Sequence, residues 1–441
     1  MSLRSYVLAM ARFSRDVRLF FLSQMLLGFA VFGGIYAVLL NLFLVRLGYG
    51  PEFVGLVNGL GLLMLAVFAI PSGGLEARFG ARRLMILGLA VAAAGLTALP
   101  FGELLHDPWR GLWLIACNAI AQAGQVIYFV SATPFLSGAT PPGERIHAFA
   151  MQTALWPLAG FFGSLAGGVL PSALAAATGT SMAAASPYRL AMWVGAGAVV
   201  LGTITLAATG RARPPEPATA RADDRLPMLP IALIALAALL RVGGEGIART
   251  FFNVYLDTAL HAPTVLVGVL VATAQLVTTP FALVTPLLAL RWGNPNVHAA
   301  GTVLLAVALL PLALAPHVAG AAAGFIAMSA MSGLARPTVT AYSMEIVAPR
   351  WRGLMSAGTS TAIGLSWGAA GIGGGYFAAA FGYGTVFLLG SGITLAGAVV
   401  FWAAFVRASR RQVTRGSDVA TAGPASEFGG PSFRSGHERR S

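Results

Sequence analysis

The stretch Leu239-Leu240-Arg241-Val242-Gly243-Gly244-Glu245-Gly246-Ile247-Ala248-Arg249 places three charged side chains inside a long apolar run, residues 229–256. Arg241, Glu245 and Arg249 are four residues apart, so a helix carries them on one face, one turn above the next. A charge at the centre of a membrane helix costs roughly 2.5–3.5 kcal/mol on insertion scales. Such residues are paired or face a water-filled cavity. The pattern therefore allows a structural ladder of ion pairs or a site that handles a substrate or an ion.

The rest of the chain is as apolar as this stretch. Of its 441 residues, 57% are hydrophobic and only 10% are charged, whereas soluble proteins carry about a quarter charged residues. Twelve segments are each long enough to cross about 30 Å of hydrocarbon, and they lack the short alternating pattern of barrel strands. The sequence therefore predicts an all-α polytopic membrane protein in a lipid bilayer. Helices 1 to 12 are predicted at residues 19–46, 51–72, 83–101, 111–136, 147–170, 189–209, 229–256, 263–290, 297–315, 318–343, 353–378 and 384–406.

The net charge of +13 comes entirely from arginine, because the chain has no lysine. Most arginines lie in the termini and in alternate loops, and only Arg46, Arg110 and Arg189 lie in the other loops. This is the distribution of the positive-inside rule. It predicts an inner-membrane protein with both termini in the cytoplasm, and it explains the basic balance without a nucleic-acid partner.

Composition shifts divide the chain into five predicted regions. They are a basic N-terminal arm at 1–18, a six-helix bundle at 19–209, an exposed Pro/Ala-rich linker at 210–228, a second six-helix bundle at 229–406 and a disordered tail at 407–441. The single cysteine, Cys117, excludes an intrachain disulfide and a cysteine-based metal site.

The two bundles carry matching residues in the same order, which indicates an internal repeat of two parallel halves related by an axis along the membrane normal. The matches are Ile35 with Ile247, Asn41 with Asn253, Phe43 with Tyr255, Leu44 with Leu256, Pro51 with Pro263, Gly55 with Gly268, Arg78-Phe79-Gly80 with Arg291-Trp292-Gly293, and Gly167-Gly168 with Gly374-Gly375.

The turn between helices 2 and 3 reads Gly73-Gly74-Leu75-Glu76-Ala77-Arg78-Phe79-Gly80-Ala81-Arg82-Arg83. It resembles the pattern G-x-L-A-D-R-x-G-R-[RK] of the major facilitator superfamily (MFS), and the six-plus-six organisation is similar to that family over residues 15–408. The chain departs at Ala77, where the family has an aspartate, and Glu76 lies about 100° around a helix from that position. The resemblance implies the MFS fold, and a latch between the halves built from Gly73, Glu76, Arg78, Gly80, Arg82 and Arg83. Alternatively, Arg78, Arg82 and Arg83 lie in this turn only because the positive-inside rule places arginines in cytoplasmic loops.

Helix 5 contains Trp156-Pro157-Leu158-Ala159-Gly160-Phe161-Phe162-Gly163. Its proline precedes the glycine, in contrast to the glycine-proline motif of the drug antiporters in this family. We interpret the segment as helix packing.

The implied fold arranges helices 1, 4, 7 and 10 around a central cavity, and the unusual polar residues lie on these helices. The second half supplies Arg241, Glu245, Arg249 and Asn253 from helix 7 and Arg336 from helix 10. The first half supplies Gln24, Tyr36 and Asn41 from helix 1 and Asn118, Gln122, Gln125 and Tyr128 from helix 4. Three arginines against one glutamate favour an anionic substrate, because guanidinium pairs with carboxylate or phosphate. Alternatively, Arg336 is a counter-ion for Glu245, and Asp257 or Glu345 completes the network.

These features predict a secondary active transporter that works by alternating access. Glu245, the carboxylate nearest a helix midpoint, is the candidate for proton coupling, and the substrate is a small organic anion or an amphipathic solute. One alternative is multidrug or metabolite efflux of neutral or cationic amphiphiles, and another is a non-transporting receptor or sensor on the same fold. No enzyme motif, cofactor site or metal site is recognisable, and we expect a monomer.

Overall fold

The structure, a computed structural model, describes residues 13–141, 144–210, 227–348 and 351–407, with only the backbone described at Ile70, Gly73, Ala77 and Ile146. The predicted arm, linker and tail lie almost entirely outside the described residues. The described residues are helical and contain no strand. The helices are α1, Arg15–Arg46, in two parts, Arg15–Ala30 and Ile35–Arg46; α2, Pro51–Phe79; α3, Ala81–Ala98; α4, Trp109–Ala139; α5, Arg145–Thr178; α6, Ser186–Ala207; α7, Met228–Val254; α8, Thr264–Trp292; α9, Asn294–Leu314; α10, Val318–Glu345; and α11 and α12 within Arg352–Phe401.

These helices correspond to the twelve predicted segments. Among the described residues, 11 helical runs are long and apolar enough to cross a membrane. The last run, Arg352–Val406, has 55 residues. It is divided at Gly382, whose φ of 80° and ψ of 164° are not helical, so it crosses twice, as α11 before this glycine and α12 after it. A helix satisfies its backbone N–H and C=O groups internally, as the bilayer core requires. The prediction of an all-α membrane bundle is confirmed.

The structure differs from the prediction in α1, which is not one continuous helix. Helical geometry stops after Ala30 and resumes at Ile35, and Gly33 between them has φ 70°. Backbone groups freed by such a break need other partners in the membrane. Ser164 of α5 donates a hydrogen bond to the carbonyl of Gly33, and Gln275 of α8 donates one to the carbonyl of Phe32 at 3.4 Å. The break in α1 therefore contacts both halves of the molecule.

The turns after α2 and α8, which the repeat relates to each other, have nearly the same backbone geometry. Gly80 ends α2 with φ 81° and ψ 145°, and Gly293 ends α8 with φ 78° and ψ 149°. Each glycine donates its N–H to the carbonyl four residues earlier at 2.8 Å. The arginine two residues before each glycine lies 5.5 Å from the ring of the intervening aromatic residue. This equivalence supports a duplicated six-helix unit.

These two turns require glycine. We expect Gly293→Ala to lower the free energy of unfolding by about 1–3 kcal/mol, because a Cβ makes this backbone conformation strained. SDS titration of the detergent-solubilised protein measures the change. Gly197→Ala is the matched control, since Gly197 has no positive φ and a methyl group there meets no atom within 4 Å. Equal destabilisation by both substitutions would contradict the argument.

The two halves meet through glycines at the end of the bundle opposite the termini, which we call the opposite end. A methyl group built on Gly268 of α8 would lie 2.6 Å from the Cα of Gly168 of α5. One built on Gly55 of α2 would lie 3.0 Å from the Cα of Gly375 of α11. The small residues allow the helix backbones to touch. Because the repeat relates Gly55 to Gly268, these are two equivalent contacts between the halves.

Candidate functional site

Glu245 is the centre of a charged cluster between α7 and α10. Its side chain is fully buried. One carboxylate oxygen accepts hydrogen bonds from Arg249 Nε at 2.9 Å, from Ser332 Oγ at 2.9 Å and from Arg336 Nη2 at 3.2 Å. The other oxygen lies 3.6 Å from Arg241 Nη1. The i, i+4 spacings of α7 and of Ser332 and Arg336 on α10 bring these side chains together, so sequence periodicity builds the cluster.

The three arginines differ in their access to open space. The side chain of Arg241 is 3% exposed, that of Arg249 is 34% exposed and that of Arg336 is 57% exposed. Arg241 is sealed inside the second half, where a methyl group on Gly397 of α12 would lie 2.7 Å from its backbone nitrogen. Arg249 and Arg336 instead retain accessible side-chain surface. The cluster therefore has a buried positive end and an accessible positive end, with one carboxylate between them.

Sequence reasoning did not single out His298. The residue follows the start of α9 but is only 2% exposed. Its Nδ1 lies 2.9 Å from the carbonyl oxygen of Ala335, and its ring contacts Phe401 with centroids 4.4 Å apart. It therefore packs against α10 at Ala335, the residue before Arg336.

The asparagines of α1 and α7 bind each other's helix. Asn41 donates to the carbonyl of Thr250 at 2.7 Å, and Asn253 donates to the carbonyl of Ala37 at 2.6 Å. Asn58 of α2 donates to Asn41 Oδ1 at 2.7 Å. The repeat had matched Asn41 with Asn253, and the structure shows this match as a reciprocal contact across the two halves. Both residues were predicted to bind substrate or ions, and here they hold α1 against α7.

Three other predicted site residues in the first half donate to backbone carbonyls of neighbouring helices. Tyr36 does so at 2.7 Å towards α3, Asn118 at 2.8 Å towards α2, and Gln24 at 3.0 Å towards α5. All three side chains are buried. The structure therefore places them inside the first half and does not bring them to the arginines of the second half.

The remaining predicted residues of α4 lie close to these contacts. Gln122 is partly exposed, and a methyl group on Gly61 of α2 would lie 3.0 Å from its Cγ. Gln125 and Tyr128 are buried, and their side-chain polar atoms have no hydrogen-bond partner among the described residues. Buried polar groups normally have a partner or an ordered water molecule. These two side chains are thus among several buried polar groups of the first half, Ser23 and Ser131 included, that remain available for one.

Arg46 and Asp257 form a second ion pair that joins the halves, at the opposite end. Arg46 donates two hydrogen bonds to the carboxylate, at 2.7 and 2.6 Å. It also donates to the carbonyl of Met182 at 3.1 Å and lies 5.2 Å from the ring centre of Tyr188. Sequence reasoning had assigned Arg46 to a loop and had considered Asp257 only as part of the central network. With the two asparagine contacts, this pair closes the opposite end between α1 and α7.

The predicted latch residues lie at the end of the bundle that carries the termini. Arg82 donates to the carbonyl of Ala207 at 2.8 Å and to Thr209 Oγ1 at 3.2 Å, both in its own half. Arg78 and Arg83 are exposed, Glu76 is half-buried, and Gly80 forms the turn. For Gly73 only the backbone is described, so its predicted part in the latch lies outside what the structure describes.

Comparison with known proteins agrees with this architecture. A family model described as Major Facilitator Superfamily matches residues 19–235 and 234–433. The multidrug resistance protein MdtH of Yersinia enterocolitica serotype O:8 / biotype 1B (strain NCTC 13174 / 8081) is 32% identical over 103 residues, which are 23% of this chain. The match covers only 24% of the length of MdtH, so it supports the family and not a shared substrate.

Solved structures share the fold at low identity. The nucleoside transporter NupG is 15% identical with a TM-score of 0.66, over 89% of this chain and 100% of NupG. A D-xylose-proton symporter is 12% identical with a TM-score of 0.69, over 88% of this chain and 97% of the symporter. The family match over most of the chain and the twelve-helix architecture lead to one conclusion: this chain is a multi-pass membrane transporter, not an enzyme, and belongs to the Major Facilitator Superfamily.

Proposed function

We propose that this transporter moves a small organic anion together with protons, and that Glu245, Arg249 and Arg336 form its substrate and proton site. The observation that carries the proposal is the accessible pair of guanidinium groups that share one buried carboxylate. Three arginines and one glutamate leave an excess of positive charge at the centre of the membrane, and such an excess favours an anionic ligand.

The shared carboxylate supplies a coupling mechanism. In this conformation Arg249 and Arg336 both donate hydrogen bonds to Glu245. A substrate carboxylate therefore competes with Glu245 for the same donors. Protonation of Glu245 removes its negative charge and releases both guanidinium groups to the substrate. Proton and anion therefore strengthen each other's binding, and by linkage the effect is reciprocal. Joint binding is the requirement for co-transport.

Alternating access needs a site that opens to one side at a time. Here the described contacts between the halves reach from the opposite end to the middle of the bundle, where Gly364 of α11 packs against Ala66 of α2, whereas Arg336, nearer the other end, remains exposed. With both termini in the cytoplasm of an inner membrane, as the arginine distribution predicts, this conformation opens to the cytoplasm. One chain supplies both halves of the site, so a monomer suffices.

A second candidate is efflux of amphiphilic compounds, which the partial match to MdtH favours. The D-xylose-proton symporter shares the fold at 12% identity and does not decide between the two candidates. The positive excess at the site argues against a cationic cargo, because a cation would meet two exposed guanidinium groups. Ligand charge therefore separates the two candidates.

We expect Arg249→Gln and Arg336→Gln each to weaken the binding of benzoate at least tenfold, because a charge-assisted pair to the carboxylate is lost. Isothermal titration calorimetry on the detergent-solubilised full-length protein measures the dissociation constant. The affinity of Arg249→Lys for benzoate should lie between those of the wild type and Arg249→Gln, since lysine retains the charge but not the two-pronged geometry.

Arg291→Gln is the control, because Arg291 is exposed at the end of α8 and, in the part of the chain that the structure describes, stacks on Trp292. Wild-type affinity in both central variants would reject the anion site. Tighter binding of tetraphenylphosphonium than of benzoate would favour the efflux candidate.

A further inference from the structure

Three aromatic rings meet where α1 is broken, and we call Phe32, Phe129 and Trp156 the aromatic cluster. The ring centroids are 4.6 Å apart for Phe32 and Trp156, 4.9 Å for Phe32 and Phe129, and 5.0 Å for Phe129 and Trp156. The residues come from three helices, α1, α4 and α5, and all three are half-buried. Large apolar rings that are partly exposed at the centre of a protein carry surface that a ligand can cover.

Glycines of α5 create the space for this arrangement. A methyl group built on Gly160 would lie 2.5 Å from the carbonyl oxygen of Phe32, and one on Gly163 would lie 2.7 Å from the Cα of Gly34. The broken segment of α1 therefore lies directly on α5, and Trp156 is one helical turn from Gly160. The stretch of helix 5 interpreted from sequence as packing does pack, and it also positions the Trp156 ring beside Phe32.

A chain of contacts links the cluster to the arginines across the two halves. Gln275 of α8 donates to the carbonyl of Phe32, and Thr278, one turn further along α8, donates to the carbonyl of Ser329 on α10 at 3.3 Å. Ser329 is one turn from Ser332, which binds Glu245. Two helical turns correspond to roughly 10 Å. The cluster thus lies on the first-half wall of the central space, and the guanidinium groups lie on the second-half wall.

The position of α1 along α7 agrees with this placement. Asn253 binds the carbonyl of Ala37, and Arg249 is one turn before Asn253 on α7. The broken segment 31–34 is likewise about one turn before Ala37 on α1. Because α1 and α7 run in the same direction in the repeat, Arg249 lies at the level of the break. Phe32 and Arg249 therefore bound the same part of the central space.

We infer that the aromatic cluster binds the apolar part of the substrate, and that the substrate class is an anion carrying a flat aromatic or similarly apolar group several ångströms from its carboxylate. The inference rests on the proposed function, in which Arg249 and Arg336 hold the anionic group. Aromatic side chains provide large, rigid apolar surfaces that stack on flat ligands. Together the two walls recognise the two ends of an amphipathic anion.

The test compares acetate, benzoate and 2-naphthoate, which share the carboxylate and differ in apolar surface. We expect the dissociation constant of the wild type to fall along this series, by at least tenfold between acetate and 2-naphthoate. In Trp156→Ala the affinity for 2-naphthoate should fall about tenfold, whereas acetate binding should not change. Trp156→Phe should retain most of the affinity for 2-naphthoate.

Phe162→Ala is the matched control, because Phe162 lies on the same helix, is 55% exposed and, among the described residues, stacks on its neighbour Phe161. It should leave the whole series unchanged, and SDS titration verifies that both alanine variants fold. A wild type that binds 2-naphthoate no better than acetate overturns the inference. So does a Trp156→Ala variant that weakens both anions equally. If Arg249→Gln weakens all three anions while Trp156→Ala weakens none, the inference fails and the proposed function stands. If Arg249→Gln weakens none, the proposed function itself fails.

Discussion

Replacing Glu245 with glutamine should abolish the accumulation of substrate that a pH gradient drives. The amide has the size of a protonated carboxylic acid but cannot release a proton, so the site stays in its anion-binding form. With one proton per anion, the wild type can accumulate substrate by at most about tenfold for each pH unit of gradient. The variant should only equilibrate the anion. The measurement is uptake of radiolabelled benzenesulfonate, an aromatic anion that stays ionised and does not cross the bilayer unaided, into proteoliposomes with and without an imposed pH gradient.

The same substitution should remove the pH dependence of binding. In the wild type, benzoate should bind more tightly as the pH falls, because protonation of Glu245 frees Arg249 and Arg336. In Glu245→Gln the affinity should be high and constant. Glu345→Gln is the matched control, since Glu345 lies at the end of α10 and its hydrogen-bond donor among the described residues is Asn294, at 3.0 Å. Gradient-driven accumulation that persists in Glu245→Gln would exclude this carboxylate as the coupling group.

The central cluster could be predicted because it depends on local periodicity. The four-residue spacing on α7 fixes which face carries Arg241, Glu245 and Arg249, and charges in an apolar helix must find partners. Arg336 was predicted to lie near them only through the arrangement of helices that the family resemblance implies. The relative exposure of the three arginines was not predictable, because it depends on how α9 and α12 cover Arg241.

The neutral polar residues show where sequence reasoning fails. A polar side chain in an apolar helix gives the same pattern whether it binds a substrate or a neighbouring backbone carbonyl. Asn41 and Asn253 were matched by the repeat, but nothing in the pattern showed that each reaches the other's helix. The break in α1 was missed for a related reason. Gly33 and Gly34 lie in an apolar run, and the side chains that donate to the freed carbonyls, Ser164 and Gln275, come from distant helices.

The aromatic cluster was missed because its members are ordinary apolar residues on three different helices. Phe32, Phe129 and Trp156 are far apart in sequence and have no shared spacing. Their meeting depends on the close approach of α1 to α5, which the glycines of α5 permit. In a chain with 10% aromatic residues, composition alone cannot distinguish rings that face a cavity from rings that face lipid.

Breaking the ion pair between Arg46 and Asp257 should shift the transporter towards the conformation that is open at the opposite end. The pair is two-pronged, with side chains 19% and 9% exposed, and it joins α1 to α7 only while that end is closed. Losing it should cost the closed conformation about 2 kcal/mol, which is roughly a thirty-fold change in the equilibrium between the two conformations. Asp257→Asn and Arg46→Gln should both have this effect.

A cysteine placed beneath the pair reports the shift. In a Cys117→Ser background, Ala37→Cys lies beside Asn253, and a membrane-impermeant maleimide added from the opposite side should modify it faster when the ion pair is broken. The charge-reversed double variant, with Arg46→Asp and Asp257→Arg, should restore slow modification because the attraction is re-formed. Arg189→Gln is the control, since it breaks a pair of similar exposure, with Glu103 at 3.1 Å, inside one half. Faster modification in Arg189→Gln would show that access is governed by something other than contact between the halves. An unchanged rate of modification in Asp257→Asn would show the same.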